Sequence, residues 1–325
     1  MRVLFLSHDP HEAHAAFARA VGARMRRIPF APFLRSAKRW RILIHFYPFL
    51  ALLYSFFLKV EEDVLLVDGG SSLYLAVFLK LRRPHTKLVY IDDDLHLYHL
   101  ERKGVSSFDR FFLRRVDAAV SGSEQNAVVA RRLLDVPVDV CHPFGKAVSR
   151  RDVDREQAGL FVGRLDPDKD VISIIKSGIA CPHFRKFYVV GDGPLRKRVV
   201  RLARKHRKLE FVGPVKDVGY WFSKCSFLLH TPSQEPFGVT PFEALRCGCY
   251  PLVSEGVGAA SLLDPLFVLE RTSAREVSRR ADRILKDPTP ARKAAKASLK
   301  NAPSREASSE RFKEVFSRLV REVSS

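Results

Sequence analysis

Short apolar runs alternate with longer amphipathic stretches along the whole chain. Runs of about five apolar residues closed by glycine or polar positions have the size of buried strands. Longer stretches with apolar side chains at three- and four-residue spacing have the size of helices. In the first half this predicts strands at Val3–Leu6, Val64–Val67, Lys87–Ile91, Ala118–Val120 and Val138–Cys141. The helices predicted between them are Glu12–Ala23, Lys38–Lys59, Leu73–Leu81, Phe108–Arg114 and Glu124–Leu133. The charged, aperiodic segment Ser149–Gln157 reads as a connection. The pattern then restarts, with strands at Gly159–Val162, Lys186–Val190, Leu209–Val212, Ser226–Leu229, Tyr250–Val253 and Leu266–Leu269. Helices are predicted near Val171–Ile179, Leu195–His206, Thr240–Cys247 and Ala274–Leu285. In the tail, Phe312, Val315, Phe316, Leu319 and Val320 share one helical face. Regular alternation of strand and helix predicts an α/β fold of two Rossmann-like domains, each a parallel sheet covered on both faces. The boundaries expected are 1–150, 151–303 and a closing amphipathic helix over 304–325.

Composition narrows this picture. An apolar fraction of 46% with 28% charged residues excludes a disordered chain. Five cysteines, at 141, 181, 225, 247 and 249, cannot all pair and show no CxxC spacing, so neither a disulfide framework nor a zinc site is expected. A reducing cytosol suits them. The opening MRVLFLSHDP has too short an apolar run for a signal peptide, and Ile42–Leu58 is broken by His45, Pro48 and Ser55. About 20 apolar residues are needed to span a bilayer, so the expectation is a cytoplasmic protein, peripheral wherever it meets a membrane.

A net charge of +20 calls for an anionic partner. No acidic residue lies between Glu12 and Glu61, and residues 24–59 hold Arg24, Arg26, Arg27, Arg35, Lys38, Arg39, Arg41 and Lys59 among nine aromatic residues. Residues 24–59 are therefore expected to form a face toward an anionic membrane surface. The alternative for the same span is a core helix approached by solvated basic residues.

Three motifs in the second half carry chemistry. Gly163-Arg164-Leu165-Asp166-Pro167-Asp168-Lys169 follows a strand, and its two cations could hold a diphosphate, or could be solvated charges on a turn. Gly191-Asp192-Gly193-Pro194 also follows a strand. Its glycines would let backbone approach a ligand, as they would in any tight turn. Glu235-Pro236-Phe237-Gly238-Val239-Thr240-Pro241-Phe242-Glu243 links a strand to a helix. The amides of Gly238, Val239 and Thr240 would be open there to an anion. Glu235 and Glu243 could flank one ligand, although Glu243 alone could simply answer the helix dipole.

With EPFGVTPFEALRCG in place, the chain resembles glycosyltransferase family four, the retaining enzymes of the GT-B fold, whose signature pairs two glutamates eight residues apart. The resemblance covers residues of about 158 to 270 and includes VGR before Arg164 and Lys169, the GDGP segment and FVGPV at Phe211–Val215. Asp170 departs from the family, which has glycine there. The resemblance implies two domains facing across a cleft, with the closing helix returning to the N-terminal domain. It also implies a UDP- or GDP-linked sugar as donor, with no metal and no further cofactor. Arg164 and Lys169 would hold the diphosphate with Gly163, Gly191, Gly193 and the amides of Gly238 to Thr240. Glu243 would bind the ribose, Glu235 and Phe237 would lie by the sugar, and Val212 and Gly213 would read the base. The leaving phosphate itself would take the acceptor's proton.

In the first half the family has a glycine-rich loop where this chain has Ser7-His8-Asp9-Pro10-His11-Glu12-Ala13-His14. The histidines and Asp9 are irregularly spaced for metal ligands; His8 and Asp9 are candidates to face the acceptor. Asp68-Gly69-Gly70-Ser71 is a second such turn, with Gly69 and Gly70 as candidate contacts. In the family a histidine–aspartate pair follows the fourth strand. Here Asp93-Asp94-Leu95-His96 stands there, so Asp93 or His96 takes that role by the resemblance. Asp92-Asp93-Asp94 also resembles the metal-binding DxD of GT-A transferases, but the donor residues lie elsewhere. The expected acceptor is a saccharide or lipid-linked sugar. The rival reading is a basic protein that binds nucleic acid or other anions on an inactive scaffold, against which stands the lack of any nucleic-acid motif.

Overall fold

A computed structural model describes residues 1–29 and 46–324. The chain divides into two compact units, Met1–Phe144 with Pro303–Ser325, and Gly145–Ala302. Among the described residues the first carries six parallel strands: β1 (Val3–Ser7), β2 (Arg24–Arg27), β3 (Val64–Asp68), β4 (Lys87–Asp92), β5 (Ala118–Ser121) and β6 (Val138–Val140), in the order β2-β1-β3-β4-β5-β6. Its helices are α1 (Glu12–Ala20), α2 (Tyr47–Phe57), α3 (Gly70–Arg82), α4 (His96–Lys103), α5 (Ser107–Leu113), α6 (Glu124–Leu133) and, from the chain's end, α13 (Arg305–Glu322).

Both faces of this sheet are buried, which is why its strands read as unbroken apolar runs. Leu4, Leu6, Leu65, Val67, Leu88, Tyr90 and Ala119 point to one face, against α2, α3, α5 and α6. Val3, Phe5, Val64, Leu66, Val89, Ile91 and Val120 point to the other, against α1 and α13. On that side Phe17 stacks on Phe312 with ring centroids 4.6 Å apart. The buried Phe312, Val315, Phe316 and Leu319 of α13 are worth about 1.5–3 kcal/mol each by apolar burial.

The second unit repeats the plan: β7 (Glu156–Val162), β8 (Phe187–Val190), β9 (Leu209–Gly213), β10 (Cys225–His230), β11 (Tyr250–Ser254) and β12 (Val268–Leu269) lie parallel in the order β12-β11-β10-β7-β8-β9. They alternate with α7 (Val171–Ala180), α8 (Arg196–Lys205), α9 (Val218–Lys224), α10 (Thr240–Arg246), α11 (Ala274–Lys286) and α12 (Pro288–Lys300).

Besides α4 (His96–Lys103) and α12 (Pro288–Lys300), which the pattern does not mark, four elements differ from expectation. β2 has the sequence RMRR, all exposed, and pairs by backbone at the sheet edge with Leu4 opposite Arg24, so no apolar pattern announces it. The predicted strand Leu266–Leu269 shrinks to Val268–Leu269 because Pro265–Phe267 form a 3-10 turn, its Leu266 amide capped by Asp264 at 2.9 Å. The segment Ser149–Gln157 is not wholly connection, since β7 begins at Glu156. The helix expected over Lys38–Lys59 is observed as α2, and its first part lies outside the described residues.

Strand order reverses once in each sheet. Connections leave β1 toward β2 on one side and β3 on the other, and β10 lies beside β7, away from β8. In open parallel sheets such reversals open a crevice beyond the carboxyl ends of the strands, where ligands bind.

Candidate active site

At the reversal in the second unit, the loops after β7 and β10 meet. Lys169 closes the 3-10 turn Pro167–Lys169, and its ammonium pairs with the Glu235 carboxylate in the loop before α10. A second link runs alongside. Asp170 adopts a left-handed conformation, φ 49°, and its carboxylate accepts a hydrogen bond from the Ser233 amide at 2.7 Å. Glycine would adopt this φ without strain, whereas aspartate adds the tether. Asp170 thus ties the lysine's loop to the glutamate's loop.

The Glu235 loop is held on its other side by backbone. Its amide donates to the Gly256 carbonyl at 2.9 Å, and its carbonyl accepts from Gly258 at 3.0 Å. Gly238, at φ 84°, has no room for a Cβ, which would lie 2.9 Å from Val257 Cγ1 and 3.1 Å from His230 Nε2. The Phe237 ring is buried and stacked against Phe242, so it braces the loop from the core. Val239 and Thr240 open α10, whose first amides have no acceptor within the helix.

His230 ends β10 beside this pair and was not singled out in the sequence. It is buried, its Nε2 lies 3.8 Å from Glu235 Oε2, and neither ring nitrogen has a hydrogen-bond partner among the described residues. Burial pushes its pKa down to about 4, against the pull of Glu235 and with help from Lys169. At neutral pH it is therefore an uncharged imidazole, and 3.8 Å is too long for a hydrogen bond. Its polar position at the end of the apolar run SFLLH was the available signal.

Three turns at the ends of β7, β8 and β9 lie side by side. Gly163 N donates to Val190 O at 3.1 Å, Leu165 N to Asp192 O at 2.9 Å, and Gly191 N to Gly213 O at 2.9 Å. A Cβ on Gly191 would run into the Gly163 carbonyl oxygen, so only glycine permits this approach. Gly193 abuts Leu165 in the same way, and Val212 and Gly213 end β9 within the cluster. Arg164 is not drawn inward: its guanidinium bonds Asp166 at 2.9 Å and stays 68% exposed. Glu243, in the first turn of α10, is buried, and its Oε1 accepts from the Lys146 amide at 2.9 Å. Burial raises its pKa, opposed by that hydrogen bond and by the nearby Arg246 and Lys146 charges.

The reversal in the first unit holds a different arrangement. His14, one turn into α1 and 4% exposed, lies between two carboxylates, with Nδ1 3.0 Å from Asp68 Oδ1 and Nε2 3.0 Å from Asp93 Oδ2. Burial opposes its charge, but Asp68's charge and the hydrogen bonds His14 donates to both aspartates outweigh it and hold the pKa well above the ordinary histidine value. The imidazolium in turn overcomes burial to keep Asp68 low, helped by the Ser7 hydroxyl at 3.1 Å. For Asp93 burial wins, and its pKa is raised. Sequence reasoning placed Asp93 here and overlooked its partner, because only the fold brings positions 14, 68 and 93 together.

His96 sits apart from this triad. Its ring packs on the Gly70 backbone, and Asp94 accepts from the amides of both Gly70 and His96, at 2.9 and 3.0 Å. Gly69, φ 75°, caps α3 beside the same carboxylate. His8 bonds the Tyr47 hydroxyl at 2.6 Å and is pushed down to about 4 by burial. Asp9 reaches Arg27 at 3.3 Å. Among the described residues no cluster of three or more histidine, cysteine, aspartate or glutamate side chains is arranged to hold a metal ion.

Two parallel α/β units, each with polar residues gathered at the carboxyl ends of its strands, define the GT-B class. The overall fold matches an Anabaena structure, Alr3699/HepE in complex with UDP and glucose, with a TM-score of 0.73 at 17% identity over 98% of this chain and 99% of that one. It also matches sucrose-phosphate synthase from Thermosynechococcus elongatus, with a TM-score of 0.74 at 18% identity over 98% and 89%. Residues 149–302 match the sequence profile of the glycosyl transferases group 1. By sequence the chain is 29% identical over 183 residues to the lipopolysaccharide core biosynthesis mannosyltransferase LpsB of Rhizobium meliloti (strain 1021). That match spans 49% of this chain and 50% of the relative's length.

Proposed function

We propose that the protein transfers a sugar, with retention of anomeric configuration, from a UDP- or GDP-linked donor to a saccharide or lipid-linked acceptor. The observation that carries this reading is the convergence at the strand reversal of the second unit. There Lys169, Glu235 and the amides of Gly238 to Thr240 lie on adjoining loops, beside the glycine turns at Gly163, Gly191 and Gly213. Breaking the anomeric C–O bond leaves negative charge on a diphosphate and positive charge on the sugar. Preorganised cations and N–H donors stabilise such a leaving group, each contributing about 3–4 kcal/mol in comparable sites.

In this reading Lys169 exchanges its Glu235 contact for the diphosphate, and the exposed guanidinium of Arg164 leaves Asp166 and folds onto it. Glu235, relieved of its partner, accepts from sugar hydroxyls beside the neutral His230. Glu243 accepts from the ribose hydroxyls. The charge neutralisation supplied by the two side chains needs no metal. In the first unit, Asp93 braced by His14 takes the place the family gives to histidine, and His96 remains a packing residue on Gly70. UDP in an Anabaena relative of the same fold and a mannosyltransferase among the sequence relatives support the donor class.

Calorimetry with UDP, GDP and ADP, with and without EDTA, tests the reading, alongside oligonucleotides as the rival ligand. Binding of one nucleoside diphosphate, unchanged by EDTA and reduced about tenfold or more in Lys169→Ala, is expected. Binding of oligonucleotide alone would refute it.

A further inference from the structure

Six phenylalanines stand exposed among the described residues, and all six lie on two short stretches of the first unit: Phe46, Phe49, Phe56 and Phe57 at α2, and Phe108 and Phe111 on α5. α2 explains why. Tyr47, Ala51 and Ser55 recur every four residues and face the core, while Phe46, Phe49, Leu53, Phe56 and Phe57 occupy the opposite side. A helix apolar on both faces has a second apolar environment to meet. α5 joins α2 in the same helical layer, since Tyr74 of α3 touches Tyr47 on one side and Phe108 on the other, with ring centroids 5.9 and 6.0 Å apart.

Cations edge this layer. The Arg82 guanidinium sits 5.5 Å from the Phe56 ring centroid, and that of Arg115 sits 3.6 Å from Phe111. Lys103, Arg110 and Arg114 are exposed nearby in the sequence of α4 and α5. α2 and α3 contain no acidic residue, and the single one on α5, Asp109, is bonded by Ser106.

We propose that the outer side of α2 and α5 is a docking surface for an anionic lipid bilayer, with the phenylalanines entering the headgroup–acyl boundary and the arginines meeting lipid phosphates. Charge selects this occupant. In a contact between two copies, like charges would face each other, whereas anionic headgroups complement both the rim and the chain's +20. Arg82 and Arg115 already lie over aromatic faces, so their charged ends stay at the headgroup level while the rings go deeper. No described helix is long and apolar enough to cross a membrane, so the contact is interfacial. The surface does not depend on the transferase reading, although it would bring a lipid-linked acceptor to the enzyme.

The test is co-sedimentation of the full chain with vesicles of phosphatidylcholine alone or mixed with phosphatidylglycerol. Wild type is expected to pellet with the anionic vesicles, to be released by high salt, and to remain in solution with neutral ones. Phe49→Ser/Phe56→Ser/Phe57→Ser and Phe108→Ser/Phe111→Ser should each weaken pelleting by about tenfold or more. Tyr220→Ser, an exposed aromatic of the other unit, should not. The substituted side chains are exposed, and unchanged melting curves confirm that the variants fold. Failure of wild type to pellet, or pelleting of both phenylalanine variants like wild type, overturns the proposal. So does lipid-free self-association that the same substitutions abolish, which assigns the face to a second copy. Nucleotide binding measured on the same samples separates this outcome from failure of the transferase reading.

Discussion

Replacing Lys169 with methionine keeps the bulk of the side chain and removes the charge that pairs with Glu235. Breaking a fully buried pair from one side costs about 3–5 kcal/mol. Here the lysine side chain is 28% exposed and the glutamate 11%, so water screens part of the effect, and a loss of about 1–2 kcal/mol is expected above neutrality. His230 makes that loss depend on pH. In the wild type its folded pKa of about 4 lies below the ordinary 6.5, so the unfolded chain takes up the proton first. Stability from this group is complete above about pH 6.5 and falls toward pH 4. At roughly 1.4 kcal/mol per unit, the fall amounts to about 3 kcal/mol. Without Lys169 one cation opposing His230 is gone, while Glu235 remains 3.8 Å away. His230 should then titrate higher and offer the carboxylate a new partner. The difference between wild type and Lys169→Met is therefore expected to be largest near pH 8 and to shrink toward pH 5. Urea unfolding at several pH values, followed through the fluorescence of Trp221 in the same unit, measures it. A difference that stays constant across pH would refute the coupling among these three residues.

Other groups give separate expectations. His14→Asn should destabilise the first unit by about 2–4 kcal/mol. The folded His14 pKa is raised, so its contribution is full below about pH 6.5 and is lost as pH rises through the folded value. Thermal melts should therefore show the variant's deficit narrowing in alkaline solution, and a deficit that widens would sink the argument. Gly191→Ala drives a Cβ into the Gly163 carbonyl and should cost about 2 kcal/mol or more, lowering the melting temperature by a few degrees and weakening UDP binding; a neutral result would mean the turns are not packed as described. Glu243→Ala leaves the Lys146 amide without its acceptor, at about 1–3 kcal/mol, and should weaken nucleotide affinity by about tenfold in calorimetry; unchanged affinity would remove Glu243 from the donor site.

The strands of both units were legible because each sheet is buried on both faces, so apolar runs such as Val64–Val67 and Phe187–Val190 stand out without alternation. β2 was not, since four exposed residues pair at the edge through backbone alone. α12 escaped notice because its core contacts are Ala291, Ala294 and Ser298, side chains too small to mark a face. Motif spacing pointed to the loops around Lys169, Glu235 and Glu243, since each follows a strand in the chain. It could not reveal the contacts that cross between loops: the tether from Asp170 to Ser233, the placing of His230 beside Glu235, or the clasp of His14 by Asp68 and Asp93. Those follow from strand order, which local pattern does not encode.

The location of α13 also bears on how the polypeptide is made. Phe312, Val315, Phe316 and Leu319 belong to the same apolar cluster as Val3, Phe5 and Phe17, near the opposite end of the chain. During vectorial synthesis the unit spanning Gly145–Ala302 has all its residues before the ribosome reaches this helix. The unit translated first is thus sealed only after the second has been made, and until then one side of its sheet is covered by α1 alone.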